Sequence, residues 1–336
     1  MLKQLDTRLR EGQALGGYQL IELIDQRRSV EIWRGQHLHL PLQVVLKVLR
    51  LQGQNEEEYQ YVEKRLQNEA LLLDTLHHQH IVSLRGYLQE RRFRALILEY
   101  APLGSIPHYH GSGRKLPLSL IRLYTSQIAG ALHVMHLRGL LHRDVKPSNM
   151  LLLEPHSALL ADFGLAIQVS DLTTQHRPYR GGTPPYMPPE QYHGYPCAAS
   201  DQYGLATSVY EWLSGHRPFA GETNAMMSRR ARFAPRPVRA FRPELPEAVD
   251  EILRIALHPQ PAQRYPDVLT FAREFASVTK TSRPPLLRRQ PYYQKARFQD
   301  VSRGVEKQPS TAPRLRRDTD EHCAVYLPAL LTPLHV

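Results

Sequence analysis

Cysteine is nearly absent from these 336 residues: there are two, Cys197 and Cys323, far apart in the chain. That excludes a disulfide framework and any zinc site built on paired cysteines, and it suits a reducing compartment. Long apolar runs are missing as well. Residues 323–334 form the longest such stretch near the end, too short to cross a bilayer and broken by Pro328 and Pro333. The first eight residues lack the apolar centre of a secretory signal, so no signal peptide, no transmembrane helix and a cytoplasmic location are expected. Acidic residues are in deficit, 32 against 43 Lys and Arg, for a formal net charge of +11. From Lys280 onward there are 11 basic and 5 acidic residues, so much of that excess belongs to the end of the chain.

The composition, 42% hydrophobic and 22% charged, is that of a folded chain rather than a disordered or membrane one. Residues 18–50 read as strands: Tyr18–Ile24, Val30–Trp33 and the β-branched run Val44–Leu49. Asn55 followed by three glutamates reads as a helix start, with acids at the positive end of the dipole, and the helix should run to about Leu76. Residues 81–101 return to strand pattern. After Gly104 the pattern turns helical, with helices expected at Leu118–Leu137, Gln202–Leu213, Ala248–Leu257 and Pro266–Ala276, and short strands at Leu151–Leu153 and Leu159–Ala161. The expectation is an α+β chain of two lobes: a small antiparallel sheet with one long helix (about 18–100) and a larger, mainly helical part (about 101–278). A short extension, 1–17, precedes them. A basic, proline-rich tail, 279–336, follows and is read as mostly disordered. Its charge suits an acidic protein, an anionic lipid or nucleic acid, and Tyr292–Tyr293 among arginines could stack on bases.

The informative residues are charges set in apolar runs. Lys47 lies inside a strand of valines and leucines, where an ammonium must snorkel or meet a carboxylate. Glu69 shares the apolar helix face of Val62, Leu66 and Leu73 and offers that carboxylate. A structural ion pair would satisfy both. A second set, Asp144 and Asn149 in His142-Arg-Asp-Val-Lys146-Pro-Ser-Asn149, precedes a short strand. Asp162-Phe163-Gly164 ends another. Two carboxylates and an amide beside short buried strands suit phosphoryl transfer: one Asp to orient a hydroxyl and take its proton, an Asn and an Asp to hold Mg²⁺ through oxygen.

These segments resemble the catalytic loop and the D-F-G segment of serine/threonine protein kinases, in wording closest to bacterial members. The resemblance covers roughly residues 18–278. Gly182–Glu190 is similar to the segment ending in A-P-E, with Pro188 in place of alanine, and Thr183 falls within it. Asp201 resembles the start of the large buried helix, and Arg264 the arginine that pairs with Glu190. The resemblance implies a two-lobed fold that binds ATP with Mg²⁺, or Mn²⁺ in its place, and phosphorylates protein Ser and Thr hydroxyls, its own among them through self-association. It implies that Lys47, held by Glu69, contacts the α/β-phosphates. Asp144 orients the acceptor hydroxyl, Lys146 supports the γ-phosphate, and Asn149 and Asp162 bind the metal. Ile32, Val45 and Leu151 enclose adenine, with Leu98, Glu99 and Tyr100 leading into the hinge. Leu73, Leu84, His142 and Phe163 stack as a regulatory spine that Gly164 closes. Arg143 would bind a phosphate on the loop after Asp162, where Ser170, Thr173 and Thr174 are the candidate acceptors.

The chain departs from the family at Asp25–Val30, which carries no glycine where a G-x-G-x-x-G loop covers the phosphates. Backbone approach there is hindered and Asp25 repels phosphate, while Arg27 and Arg28 compensate by charge. A nucleotide-binding scaffold without transfer is the alternative this loop raises. Ser148 stands where kinases of basic substrates often carry Glu. Arg229, Arg230, Arg232, Arg236 and Arg239 read as a solvated basic face, with docking of acidic substrates as the alternative. His77, His78 and His80 lack metal-type partners and read as loop histidines.

Overall fold

The computed structural model describes residues 9–26, 29–50, 56–90, 93–174, 181–219, 223–280 and 324–326. Its first part is a curled antiparallel sheet. The strands are β1 (Ala14–Leu15), β2 (Tyr18–Gln26), β3 (Val30–His37), β4 (Gln43–Arg50), β5 (Leu84–Gln89) and β6 (Phe93–Glu99), and helix α1 (Glu56–Thr75) lies between β4 and β5. The spatial order is β1-β2-β3-β4-β6-β5. Strand alternation decides which residues meet. Val44, Leu46 and Val48 turn to one face, into a cluster with Leu20, Trp33, Leu88 and Ile97. Val45 and Lys47 turn to the other face, toward the second lobe, because the side-chain period of a strand is two.

The sheet begins earlier than expected. Ala14 and Leu15 pair with Gln19 and Tyr18, and Leu9 is buried with the same cluster, so part of the 1–17 extension belongs to this lobe. Asn55 and Arg27–Arg28, on which expectations rested, lie outside the described residues. So does most of the tail. Beyond Thr279 and Lys280, its described piece is β11 (Ala324–Tyr326), which pairs antiparallel with β5. β5 is otherwise a sheet edge, and an Ala-Val-Tyr run suits a strand added there.

The second lobe holds α2 (Ile106–His110), α3 (Leu118–Leu137), β7 (Leu140–Leu141), β8 (Met150–Glu154), β9 (Ser157–Leu160), β10 (Ile167–Gln168), α4 (Val169–Thr174), α5 (Pro189–Tyr192), α6 (Ala198–Ser214), α7 (Thr223–Arg232), α8 (Glu247–Ala256) and α9 (Val268–Val278). Helix α3 has the bounds its periodicity predicts. Helix α6 starts four residues before Gln202, because Ser200 belongs to its first turn and caps its start. The Cys197 N–H donates to Ser200 Oγ at 3.0 Å, closing the first turn. Helix α9 starts two residues after Pro266, where the Asp267 side chain accepts from the Thr270 N–H at 2.7 Å. Helix α6 is buried along nearly its whole length, as a central helix must be. No helix among the described residues is long and apolar enough to cross a membrane.

The two lobes share a main-chain seam: Val82 N–H donates to Leu160 O and Leu160 N–H to His80 O, at 2.9 and 2.8 Å. His80 also bonds the Ala158 carbonyl at 3.0 Å, and its main-chain N–H donates to His78 Nδ1 at 3.2 Å. Deeper in the second lobe, Arg264, with a fully buried side chain, forms a bidentate pair with Glu190 at 2.7 and 2.9 Å. Removing one partner of a buried pair strands the other charge. Glu190→Ala is therefore expected to lower the unfolding free energy by about 3 kcal/mol in urea titrations. A loss below about 0.5 kcal/mol would mean the pair behaves as an exposed bridge.

Candidate active site

Between the lobes, the Lys47 ammonium lies 2.7 Å from Glu69 Oε2, 2.9 Å from Oε1 and 3.0 Å from Asp162 Oδ1. Strand alternation points Lys47 into the cleft, and the helical period of α1 points Glu69 to meet it. Glu69 is 2% exposed and Lys47 14%. Burial pulls the Lys47 pKa down, but Glu69 and Asp162 more than offset it and hold the ammonium above its ordinary range. Burial is also the largest influence on Glu69 and pushes its carboxyl up, with Lys47 opposing.

Arg65, one helical turn before Glu69, adds a second tie. Its Nε and Nη2 donate to the Gly164 carbonyl at 2.9 and 2.6 Å. A Cβ at Gly164 would press on this cluster, 3.3–3.4 Å from Glu69 Oε2, Asp162 Oδ1 and Lys47 Nζ. Arg65 was not foreseen, although its i−4 spacing from Glu69 was the signal.

The loop after β7 carries the second set. Asp144 Oδ1 accepts from the Thr183 hydroxyl at 2.7 Å, and Oδ2 accepts from Lys146 Nζ at 2.7 Å. Lys146 also donates to Thr183 Oγ1 at 2.5 Å. Asn149 Nδ2 donates to the Asp144 carbonyl at 2.9 Å and to Oδ2 at 3.0 Å. That use of the amide nitrogen leaves its oxygen uncommitted, which suits a hard cation. Asp162 is 27% exposed and also offers oxygen. Among the described residues no cluster of three or more His, Cys, Asp or Glu could hold a metal alone. Asn149 and Asp162 offer the oxygen donors that a hard divalent cation takes.

Asp201 fixes this loop from below. Its carboxylate accepts the N–H groups of His142 and Arg143 at 2.9 and 2.8 Å, and His136 Nε2 at 2.9 Å. Burial would raise its pKa, but His136 and His142 outweigh that and hold it low. Gly204, one turn after Asp201, lets the helix approach: a Cβ there would meet the Val145 carbonyl at 2.7 Å. Arg143 and Asp162 hold left-handed backbone, φ 67° and 63°, a strain tolerated because Asp201 and Lys47 bind them. His142 accepts at Nδ1 from the Asp144 N–H, 3.3 Å, so Nε2 carries the proton given to the Ala161 carbonyl, 3.2 Å. Its ring packs edge-on against Phe163, centroids 5.0 Å apart, and Leu73 is buried while Leu84 is partly so.

The other predicted residues fall as follows. Ile32 sits across from Lys47 on β3 and Val45 across from Leu98, all on the cleft face. Leu151 lies on β8, partly buried against the same core as Val45. The Glu99 carboxylate is turned to Ser83 Oγ (3.0 Å) and Arg85 (3.1 Å), so only its main chain is left for a ring in the cleft. Tyr100 follows it, half-buried. Arg143 donates to the Leu165 carbonyl at 3.2 Å. Ser170 is exposed on α4; the side chains of Thr173 and Thr174 lie outside the described residues. The reading of a wholly solvated basic run is corrected at Arg230, which is buried, while Arg229, Arg232, Arg236 and Arg239 are exposed. Gln191, also unforeseen, donates to the carbonyls of Arg143 (2.6 Å) and Gly181 (2.9 Å).

A model of the protein kinase domain matches residues 28–275. Among curated proteins the chain is similar to serine/threonine-protein kinase PknA of Mycobacterium tuberculosis, 32% identical over 286 residues, 82% of this chain and 64% of that protein. It is similar to serine/threonine-protein kinases drp72 of Corynebacterium efficiens, 32% identical over 253 residues, 72% of this chain and 47% of the relative. PrkC of Bacillus subtilis is 28% identical over 253 residues, 74% of this chain and 38% of that protein. The chain thus spans less than two thirds of the length of each.

Loss of the Arg65 fork should free the Gly164 carbonyl. Arg65→Ala is expected to speed amide exchange at residues 162–166 on the order of tenfold, as two charge-assisted bonds are lost. Unchanged exchange there would show that Lys47 alone holds the segment.

Proposed function

The chain belongs to the protein kinase family, and on that basis we propose that it transfers the γ-phosphoryl group of ATP to serine or threonine hydroxyls of proteins. The observation that carries this reading is the Lys47 ammonium reaching Glu69 and Asp162 together, with Asp144 already accepting from a hydroxyl. Use of ATP and a divalent cation is general to the family. We assign Mg²⁺ here, with Mn²⁺ as a substitute, on the oxygen donors Asn149 and Asp162.

In this reading Lys47 contacts the α/β-phosphates, and Glu69 sets its direction. Asp144 orients the acceptor hydroxyl and takes its proton as the new O–P bond forms. The bond from the γ-phosphorus to the β,γ-bridging oxygen breaks, and ADP leaves with that electron pair. Lys146 sits beside Asp144 to offset charge on the transferred group. A divalent cation, when bound, neutralises phosphate charge. Ile32, Val45 and Leu151 supply apolar faces for adenine, and Leu98 closes the back of that space.

The alternative of a scaffold without transfer rested on the glycine-free loop. Glu31, next to it, is held by Trp33 Nε1 at 2.9 Å and Arg50 at 3.3 Å, which supports a fixed loop end rather than a collapsed one. Self-phosphorylation through transient association, with Ser170 as an exposed acceptor, belongs to the same proposal. So does a cytoplasmic location, supported by the scarcity of cysteine. Acidic protein, anionic lipid or nucleic acid remains the partner class we assign to the basic tail, on charge alone.

Phosphate incorporation from Mg·ATP, read by intact mass with casein also supplied as acceptor, tests the reading. Asp144→Asn should lower the rate by at least ~10²-fold; near-normal transfer would overturn the role of Asp144. Asp25→Gly should lower the KM for ATP by roughly threefold, since it removes a repelling charge and frees the main chain. An unchanged KM would mean that this loop does not reach the phosphates.

A further inference from the structure

Among the described residues only β11 lies beyond β5 on its side of the sheet. The other side ends in β1, two residues long, whereas β5 runs for six. An open strand of that length presents a row of unpaired N–H and C=O groups, a template for another chain. Charge gives it little protection: Arg85, the one charged residue of β5, is tied to Glu99 at 3.1 Å.

The segment seated on that edge is suited to it by sequence. All 11 basic residues of the tail precede Glu321, and no Lys, Arg, Asp or Glu follows it. Ala324, Val325 and Tyr326 fall near the start of this uncharged run, two of them strong strand formers, and Pro328 limits the pairing. Their register is unbroken: Ala324 with Gln89, Val325 with Leu88, Tyr326 with Tyr87. A stretch as long as residues 281–323 spans up to ~140 Å when extended, so the chain can reach its own edge. Tethering also sets an effective concentration above that of a second copy in dilute solution.

A covered edge has consequences at β5. Leu88 is fully buried in the cluster with Leu20 and Ile97. Its neighbour Tyr87 turns the other way, partly buried against the core that holds Leu66 and Leu73 of α1. Strand and helix therefore share one packing surface, and Glu69 stands between Leu66 and Leu73 on that helix. A strand paired on one side only opens more readily than one paired on both. Freedom in β5 is thus passed to the seat of α1.

We propose that the outer edge of β5 is a docking surface for the chain's own segment 324–326, and that its occupancy steadies α1 and so the reach of Glu69 to Lys47. The docking stands on the pairing alone, and its effect on transfer rests on the kinase reading above.

The test uses the full chain with Ala324→Pro and Val325→Pro together. Adjacent prolines remove at least one ladder donor, whichever of the two faces β5. Amide exchange is followed over residues 86–89 of β5, 66–73 of α1 and, as reference, α6, at low and at high chain concentration. Exchange should quicken about tenfold over 86–89 and about threefold over 66–73 in the variant, with α6 unchanged. Protection of 86–89 in the wild type should be the same at both concentrations. With casein as acceptor, kcat/KM for Mg·ATP should fall about threefold in the variant. Unchanged exchange over 86–89 overturns the docking. Protection that grows with concentration puts another copy's segment on the edge and overturns the assignment to the chain's own. Unchanged exchange over 66–73, or faster exchange that includes α6, overturns the hold on α1, and an unchanged kcat/KM overturns the link to Glu69. If the wild type transfers no phosphate, the kinase reading is what fails, and exchange over 86–89 and 66–73 still upholds or removes the docking and its hold on α1.

Discussion

One buried ammonium holds this molecule in working order. Lys47 joins a strand, a helix and the loop at 162–164, and Arg65 adds a second tie only between the last two. The cluster is unbalanced, with one cation against two carboxylates. Arg65, whose charge acts on Glu69, offsets part of the excess. What is left is a negative site at the cleft, ready for a cation that arrives with phosphate. The same imbalance explains why the lysine stays charged in a place where burial alone would strip its proton.

Below the cleft the organising charge is a carboxylate. Asp201, on a helix with almost no exposed face, accepts the main chain of His142 and Arg143 and so sets where Asp144 begins. The helix can come that close because Gly204 has no Cβ. Two ionised groups, one above and one below, thus carry the left-handed backbone of Asp162 and Arg143. The lobes between them are ordinary apolar packing.

Much of this was legible in the sequence. Lys47 and Glu69 betrayed themselves as charges on apolar faces, and Asp144, Asn149 and Asp162 stood beside short apolar strands. Helix α3 could be bounded to the residue because its periodicity is unbroken. Helix α6 could not, because Ser200 and Asp201 look like loop residues unless their partners are known. Arg65 was readable from spacing but its acceptor, a main-chain carbonyl, was not. Arg230 was misread outright. In a run of arginines nothing local distinguishes the one that turns inward, and only the arrival of the 184–187 carbonyls does so. The Glu99 carboxylate shows the same limit, since Ser83 and Arg85 claim it from neighbouring strand residues.

Arg230 also bears on how such proteins diverge. Apart from one thioether, its hydrogen-bond partners are all main-chain oxygens, which every residue type supplies alike. Substitutions at 184, 185 and 187 can therefore accumulate without a compensating change at 230, and the reverse substitution has no side chain to follow it. Paired substitutions are the usual trace of spatial contact. A contact of this kind leaves none, so the history of the segment at 184–187 would be written in single, uncorrelated changes.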